Sequence, residues 1–220
     1  MELKNKKIVF LGDSITEGVG TSSVDKVYWN VIAQRTGAVC VGYGISGTRI
    51  ARQQHPDPNE AIDYQHFSTR VDDMDADADV VVVFGGTNAF GHGDAAFGDM
   101  TDRTEDSFYG AMHVLCRRLI ERYPSAQLVF MTPTHRSSEE NRLVNEKGVR
   151  KDHLLIDYVD AVREVAGYYS IPVLDLFRTS GIQPRIPAQQ ELFMPDGLHP
   201  SDAGNARIAE KLIAFLHTLA

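Results

Sequence analysis

Apolar residues along this chain fall into short unbroken runs, separated by longer stretches with helical spacing. Lys7 to Leu11, Ala38 to Val41, Val80 to Phe84, Gln127 to Met131 and Ile171 to Leu174 are the short runs, and each reads as a strand. Val80-Val81-Val82-Val83-Phe84 has no polar position, the pattern of a strand buried on both faces of a parallel sheet. Between the runs, Val27 to Thr36 puts Val27, Val31 and Ile32 on one face with Trp29 beside them, and Gly37 closes that helix. A helix from about Thr104 to Tyr123 carries Phe108, Ala111, Met112, Leu115 and Leu119 as its stripe. Glu105 and Asp106 would sit in its first turn and Arg118 and Arg122 in its last, as the helix dipole favours. Two more helices are expected, over about His153 to Ala166 and from a Ser201 cap onward, the latter turning Ile208, Leu212, Phe215 and Leu219 inward. Strands alternating with helices predict an α/β fold: a five-stranded parallel sheet with helices on both faces. No internal repeat interrupts the pattern, and 220 residues suit one domain over 1–220.

The polar stretches predict loops at 52–60, 91–103 and 135–151, with a proline-containing loop before Pro195. Residues 71–79 are acidic. Asp73, Asp75 and Asp77 begin like a calcium loop, but Ala78 stands where its glycine is needed and Phe84 where its glutamate is needed. A solvated acidic run fits better.

Composition narrows the partners. A net charge of −8 argues against a general nucleic-acid binder, because phosphate contacts need Lys and Arg. Cys40 and Cys116 read as two buried free thiols, and without a Cys-x-x-Cys pair a structural zinc site is not expected. The first apolar run is too short for a signal peptide, and no run approaches the roughly 18 residues of a membrane span. A cytoplasmic chain without a membrane span is the expectation.

The candidate chemistry gathers at the carboxyl ends of the strands, where open α/β sheets bind ligands. The first strand ends in Gly12-Asp13-Ser14, the second runs into Gly42-Tyr43-Gly44-Ile45-Ser46-Gly47, and the third ends in Gly85-Gly86-Thr87-Asn88. Asp196 and His199 lie three apart just before the last helix. A serine hydroxyl is a poor nucleophile unless a base takes its proton and a carboxylate orients that base. The oxyanion it generates needs fixed donors, such as a glycine N–H and an asparagine amide. Each residue alone has a plainer reading: Ser14 as a helix cap, Gly47, Asn88 and Asp196 as turn residues, His199 as a loop histidine. His92, near Asp94, and His135, near Arg136, fall on stretches read as loops; they read as solvated, with loops overhanging the site as the alternative.

Taken together, Gly12-Asp13-Ser14-Ile15, Gly47, Gly86-Thr87-Asn88 and Asp196-Gly197-Leu198-His199-Pro200 resemble the four blocks of the GDSL, or SGNH, hydrolases, in that family's order. The resemblance implies a flavodoxin-like α/β/α sandwich and a serine esterase or acylhydrolase. It implies Ser14 as nucleophile, His199 as base and Asp196 as its orienting carboxylate. The implied oxyanion hole is the N–H of Ser14, the N–H of Gly47 and the amide of Asn88, with no metal or organic cofactor. Ala89 follows Asn88 where the family usually has aspartate, which removes a carboxylate that could brace the loops or orient Asn88. The expected substrate is a small-molecule ester, short-chain acyl or acetyl and possibly carbohydrate-linked. Lysophospholipase or thioesterase activity within the family is one alternative. A non-catalytic or nucleotide-binding flavodoxin-like domain is another, the latter resting on the glycine run 42–47, which matches a dinucleotide fingerprint but lacks the helix that should follow it.

Overall fold

The computed structural model describes residues 1–140 and 152–219. Its sheet consists of β1 (Lys7–Gly12), β2 (Val39–Gly44), β3 (Val80–Phe84), β4 (Gln127–Met131) and β5 (Val173–Leu174), in the order β2-β1-β3-β4-β5. Every pairing is parallel. This is the flavodoxin-like order, whose switch point lies between β1 and β3. The helices among the described residues are α1 (Ser14–Glu17), α2 (Tyr28–Thr36), α3 (Thr87–His92), α4 (Phe108–Arg122), α5 (Leu155–Tyr168), α6 (Leu176–Thr179), α7 (Pro187–Phe193) and α8 (Asp202–Thr218).

Alternate residues of the central strands enter two separate cores. Ile8, Phe10, Val80, Val82, Phe84, Val129 and Met131 join residues of α2 and α8. Val9, Leu11, Val81, Val83 and Phe130 join residues of α4, α5 and the 3₁₀ stretch Phe67–Asp73. With a helical layer on each side, β3 has no place for a polar side chain. Tyr28 meets Phe10 and Phe84 edge-on, with ring centroids 5.5 and 5.9 Å apart. Such pairs add about 0.5–1.5 kcal/mol each beyond simple burial.

The structure departs from the sequence pattern at several element ends. Helix α4 begins at Phe108, not Thr104, because the Ser107 hydroxyl accepts the Gly110 N–H at 3.1 Å and takes the cap. Glu105 and Asp106 are therefore outside the helix, engaged by the Ser68 hydroxyl and the Arg52 guanidinium. Strand β5 is two residues long rather than four. Pro172 has no N–H to donate, and only its carbonyl joins the ladder, accepting from Phe130 N–H at 3.0 Å. The acidic run is ion-paired rather than simply solvated: Asp75 and Asp77 lie 2.7 and 2.6 Å from the Lys7 ammonium. Residues 87–92 and two segments of the expected loop before Pro195 are helical, as α3, α6 and α7. The loop expected over 135–151 lies outside the described residues from position 141 onward. Cys40 and Cys116 are free thiols, Cys40 only half-buried.

The glycine run after β2 serves packing. A Cβ on Gly42 would stand 2.5 Å from the Trp29 ring, and one on Gly44 would stand 2.1 Å from the Glu17 nitrogen. Both glycines let α1 and α2 lie directly against β2. No α-helix opens at the run, and the next helical turn is the 3₁₀ stretch Ala61–Tyr64. The feature a pyrophosphate needs, a helix N-terminus at the glycines, is missing. Among the described residues, no helix is long and apolar enough to cross a membrane.

Candidate active site

Helix α1 decides what Ser14 can do. The Asp13 carboxylate accepts the Ile15 N–H at 3.1 Å and is the cap, so Ser14 is the first helical residue and its hydroxyl is not spent on the backbone. That hydroxyl lies 3.0 Å from Nε2 of His199, across 185 residues of sequence. His199 Nδ1 lies 2.6 Å from Oδ2 of Asp196. The other oxygen of Asp196 accepts the N–H groups of Leu198 and His199, at 2.9 and 2.7 Å. These bonds fix the carboxylate so that Oδ2 faces the ring. The ring then donates from Nδ1 and offers the Nε2 lone pair to Ser14. Partial burial pushes the Asp196 carboxyl up, but the bonds from His199 and Leu198 outweigh it, and the net shift is downward. The carboxylate therefore stays ionised beside the imidazole.

Two buried charges underlie the serine. Burial raises the Asp13 carboxyl to about 6, against the Ile15 hydrogen bond and the nearby charge of Arg70. Its second oxygen has no hydrogen-bond partner. Arg70 donates to the Gly12 carbonyl and the Thr48 hydroxyl, each at 3.0 Å, and to the Tyr43 carbonyl. It thus ties together the carboxyl ends of β1 and β2. Burial draws its guanidinium down to about 10, with the Asp13 charge pulling the other way.

A pocket of about 260 Å³ opens above these groups. Ser14, Gly47, Asn88 and His199 all line it, together with Val19, Ser46, His92, Arg136 and Leu198. Gly47 holds φ at 74°, a left-handed conformation that favours glycine. Asn88 donates from Nδ2 to the Thr48 carbonyl at 3.1 Å. The five residues of the expected site are thus at one place: Ser14, His199 and Asp196 in a hydrogen-bonded chain, Gly47 and Asn88 on the wall facing it.

A family model supplies the comparison. The GDSL-like lipase/acylhydrolase family matches residues 10–207. The chain belongs to that family. It is therefore a hydrolase of the esterase and acylhydrolase type, and its five-stranded parallel sheet is the family fold. A solved structure from Lactobacillus plantarum is 30% identical, with 99% of each chain covered and a TM-score of 0.82. A possible lipase from Chitinophaga pinensis is 21% identical, covering 97% of this chain and 98% of its own, with a TM-score of 0.69. An acetyl xylan esterase, AlAXEase, is 19% identical over 96% of this chain and 99% of its own, with a TM-score of 0.62. The last two are distant enough to show the fold alone. No curated protein matches the chain.

Two further residues line the pocket without a role assigned from the sequence. His92 is not a solvated loop histidine but the last residue of α3, one turn after Asn88 and facing the same pocket. The i,i+4 spacing of Asn88 and His92 was the available signal, hidden by Gly91 and Gly93, which suggest a loop. Arg136 is nearly buried, donating to the Thr87 carbonyl at 3.3 Å and the Ser138 hydroxyl at 3.1 Å, with its guanidinium over the Phe90 ring. Nothing near it in sequence marks it out. Ala89 is buried in the apolar cluster that includes Phe90, Ala111 and Tyr158.

Proposed function

We propose that this family member is a serine esterase that removes short acyl groups, acetyl foremost, from small or carbohydrate-linked alcohols. The reading is carried by the Ser14–His199–Asp196 hydrogen-bonded chain, whose Ser14 and His199 line a pocket of about 260 Å³. In the first half-reaction Ser14 Oγ bonds to the ester carbonyl carbon while its proton passes to His199 Nε2. The carbonyl π electrons move onto oxygen, and the oxyanion sits between the N–H groups of Ser14 and Gly47 and the Asn88 amide. The imidazolium is balanced by Asp196, which stays a carboxylate throughout. Collapse of the intermediate breaks the bond to the alcohol oxygen, which takes the proton from His199. Water then repeats the sequence on acyl-Ser14 and releases the acid. A pocket of about 260 Å³ has room for a short acyl chain, and the acetyl xylan esterase among the structural neighbours fits a sugar-borne acetyl group.

The test is turnover of p-nitrophenyl esters of increasing chain length, followed by a panel of acetylated sugars. Acetate and butyrate esters should be hydrolysed faster than octanoate and longer. A fluorophosphonate probe should label the protein and fail to label Ser14→Ala. Absence of labelling and of p-nitrophenyl acetate turnover would overturn the esterase reading, while a preference for long chains would overturn the substrate.

A further inference from the structure

The Asn88 side chain can serve an oxyanion only if its NH₂ group, and not its carbonyl, faces the pocket. Ala89 offers no polar group that could settle this. Instead, a chain of side chains, buried at Asp63 and Arg49 and open to the pocket at His92, reaches Asn88. Its far end is Asp63, 3% exposed, which accepts the Asp57 N–H at 2.9 Å and an Nη1–H of Arg49. Arg49, 4% exposed, turns its Nε and Nη2 onto a single atom, Nδ1 of His92, at 3.1 and 2.7 Å. On the other side of that ring, Nε2 lies 3.1 Å from Oδ1 of Asn88.

A guanidinium has only donors. Two of its N–H groups on Nδ1 leave no room for a proton there, so the ring proton is on Nε2 and donates to Asn88 Oδ1. The carbonyl end of the amide is then engaged, and Nδ2 must point the opposite way. The Thr48 carbonyl, which can only accept, takes one Nδ2 proton at 3.1 Å and enforces the same orientation. The second proton is left for the pocket. Flipping the amide would set Oδ1 against the Thr48 carbonyl and Nδ2 against the Nε2–H of His92. We propose that Asp63, Arg49 and His92 are positioning residues that fix the His92 tautomer and thereby aim the Asn88 amide at the oxyanion. The proposal rests on Asn88 acting as an oxyanion donor. Its energetic logic is preorganisation: a donor held in place before reaction costs nothing to reorient during it.

The experiment is a kinetic cycle on p-nitrophenyl acetate with native enzyme, Asn88→Ala, His92→Leu, the double variant and His92→Gln. Asn88→Ala should lower kcat about 100- to 1000-fold, the scale of one oxyanion donor. If it does not, the oxyanion reading itself fails, independently of the relay. Given that loss, His92→Leu should lower kcat about 10- to 100-fold, the cost of a misaimed group, with KM changed less than about threefold. In the Asn88→Ala background the same change should cost less than about twofold, because the amide it aims is gone. His92→Gln, which can still present an N–H toward Asn88, should recover most of the loss. Full additivity of the two losses, or no loss in His92→Leu, overturns the proposal. Should His92→Leu fail to fold, the ¹⁵N spectrum of native enzyme labelled at histidine decides. His92 protonated on Nε2 supports the relay, and protonation on Nδ1 overturns it.

Discussion

Replacing Asp13 by Asn should make the protein less sensitive to rising pH. Asp13 is 1% exposed, and burial raises its carboxyl from 3.8 to about 6. In the unfolded chain the group is already ionised at pH 5, whereas in the fold it still holds its proton there. Between those two values the folded state binds more protons than the unfolded state, so native stability falls as pH rises through the window and stays reduced above about 6. At about 1.4 kcal/mol per tenfold change in proton affinity, the full penalty is about 3 kcal/mol. About 2 kcal/mol of it develops between pH 4.5 and 7.5. Asn keeps the oxygen that accepts the Ile15 N–H but places an NH₂ where the second carboxylate oxygen has no partner. That orphaned donor costs about 1–3 kcal/mol at every pH. The absolute change is therefore small, and the pH dependence is the signal. Urea unfolding of native protein and Asp13→Asn at pH 4.5 and 7.5 measures it. Relative to native, the variant should gain about 2 kcal/mol on going from the lower to the higher pH. A difference that stays constant within about 0.5 kcal/mol would show that Asp13 is not a destabilising buried charge, and would refute the reasoning.

Three further outcomes follow from the same geometry. Asp196→Asn keeps the shape of the triad but can present an N–H toward Nδ1, which puts the ring proton on Nε2 and leaves no lone pair facing Ser14, so kcat should fall about 10³- to 10⁴-fold, measured with p-nitrophenyl acetate. Gly44→Ala forces a Cβ to within 2.1 Å of the Glu17 nitrogen and must push α1 away from β2. It should cost about 1–3 kcal/mol or more in thermal unfolding and lower kcat as well, since Ser14 rides on α1; an unchanged melting temperature would count against this packing role. Ser14→Ala should abolish both ester turnover and fluorophosphonate labelling while leaving the melting temperature nearly unchanged, since the hydroxyl carries no backbone cap.

Much of this site could be read before any coordinates. Strand β3 was fixed to the residue by Val80–Phe84, because an unbroken β-branched run tolerates only a doubly covered position. Ser201 marked the start of α8, and its hydroxyl does accept the Gly204 N–H at 3.3 Å. Ser14, Gly47, Asn88, Asp196 and His199 stand out in the sequence, and their roles come there from the resemblance to the GDSL blocks. Where local signals competed, the sequence misled. Ser107 displaced Thr104 as the start of α4, and Gly91 and Gly93 disguised α3 as a loop.

By itself, then, the chain determined its periods, its turns and the kinds of residue at each strand end, because those depend on neighbours a few positions away. Tertiary structure alone decided which of those groups touch. The parallel register of β1 and β3, with Gly12 beside Phe84, brings Ser14 and Asn88 to one sheet edge, and the approach of α8 brings His199 within 3.0 Å of a serine 185 residues earlier. It also decided that Asp13, not Ser14, caps α1, and that His92 turns toward Asn88 with Arg49 behind it. Those outcomes depend on how two layers of side chains close over a sheet, which no local pattern encodes.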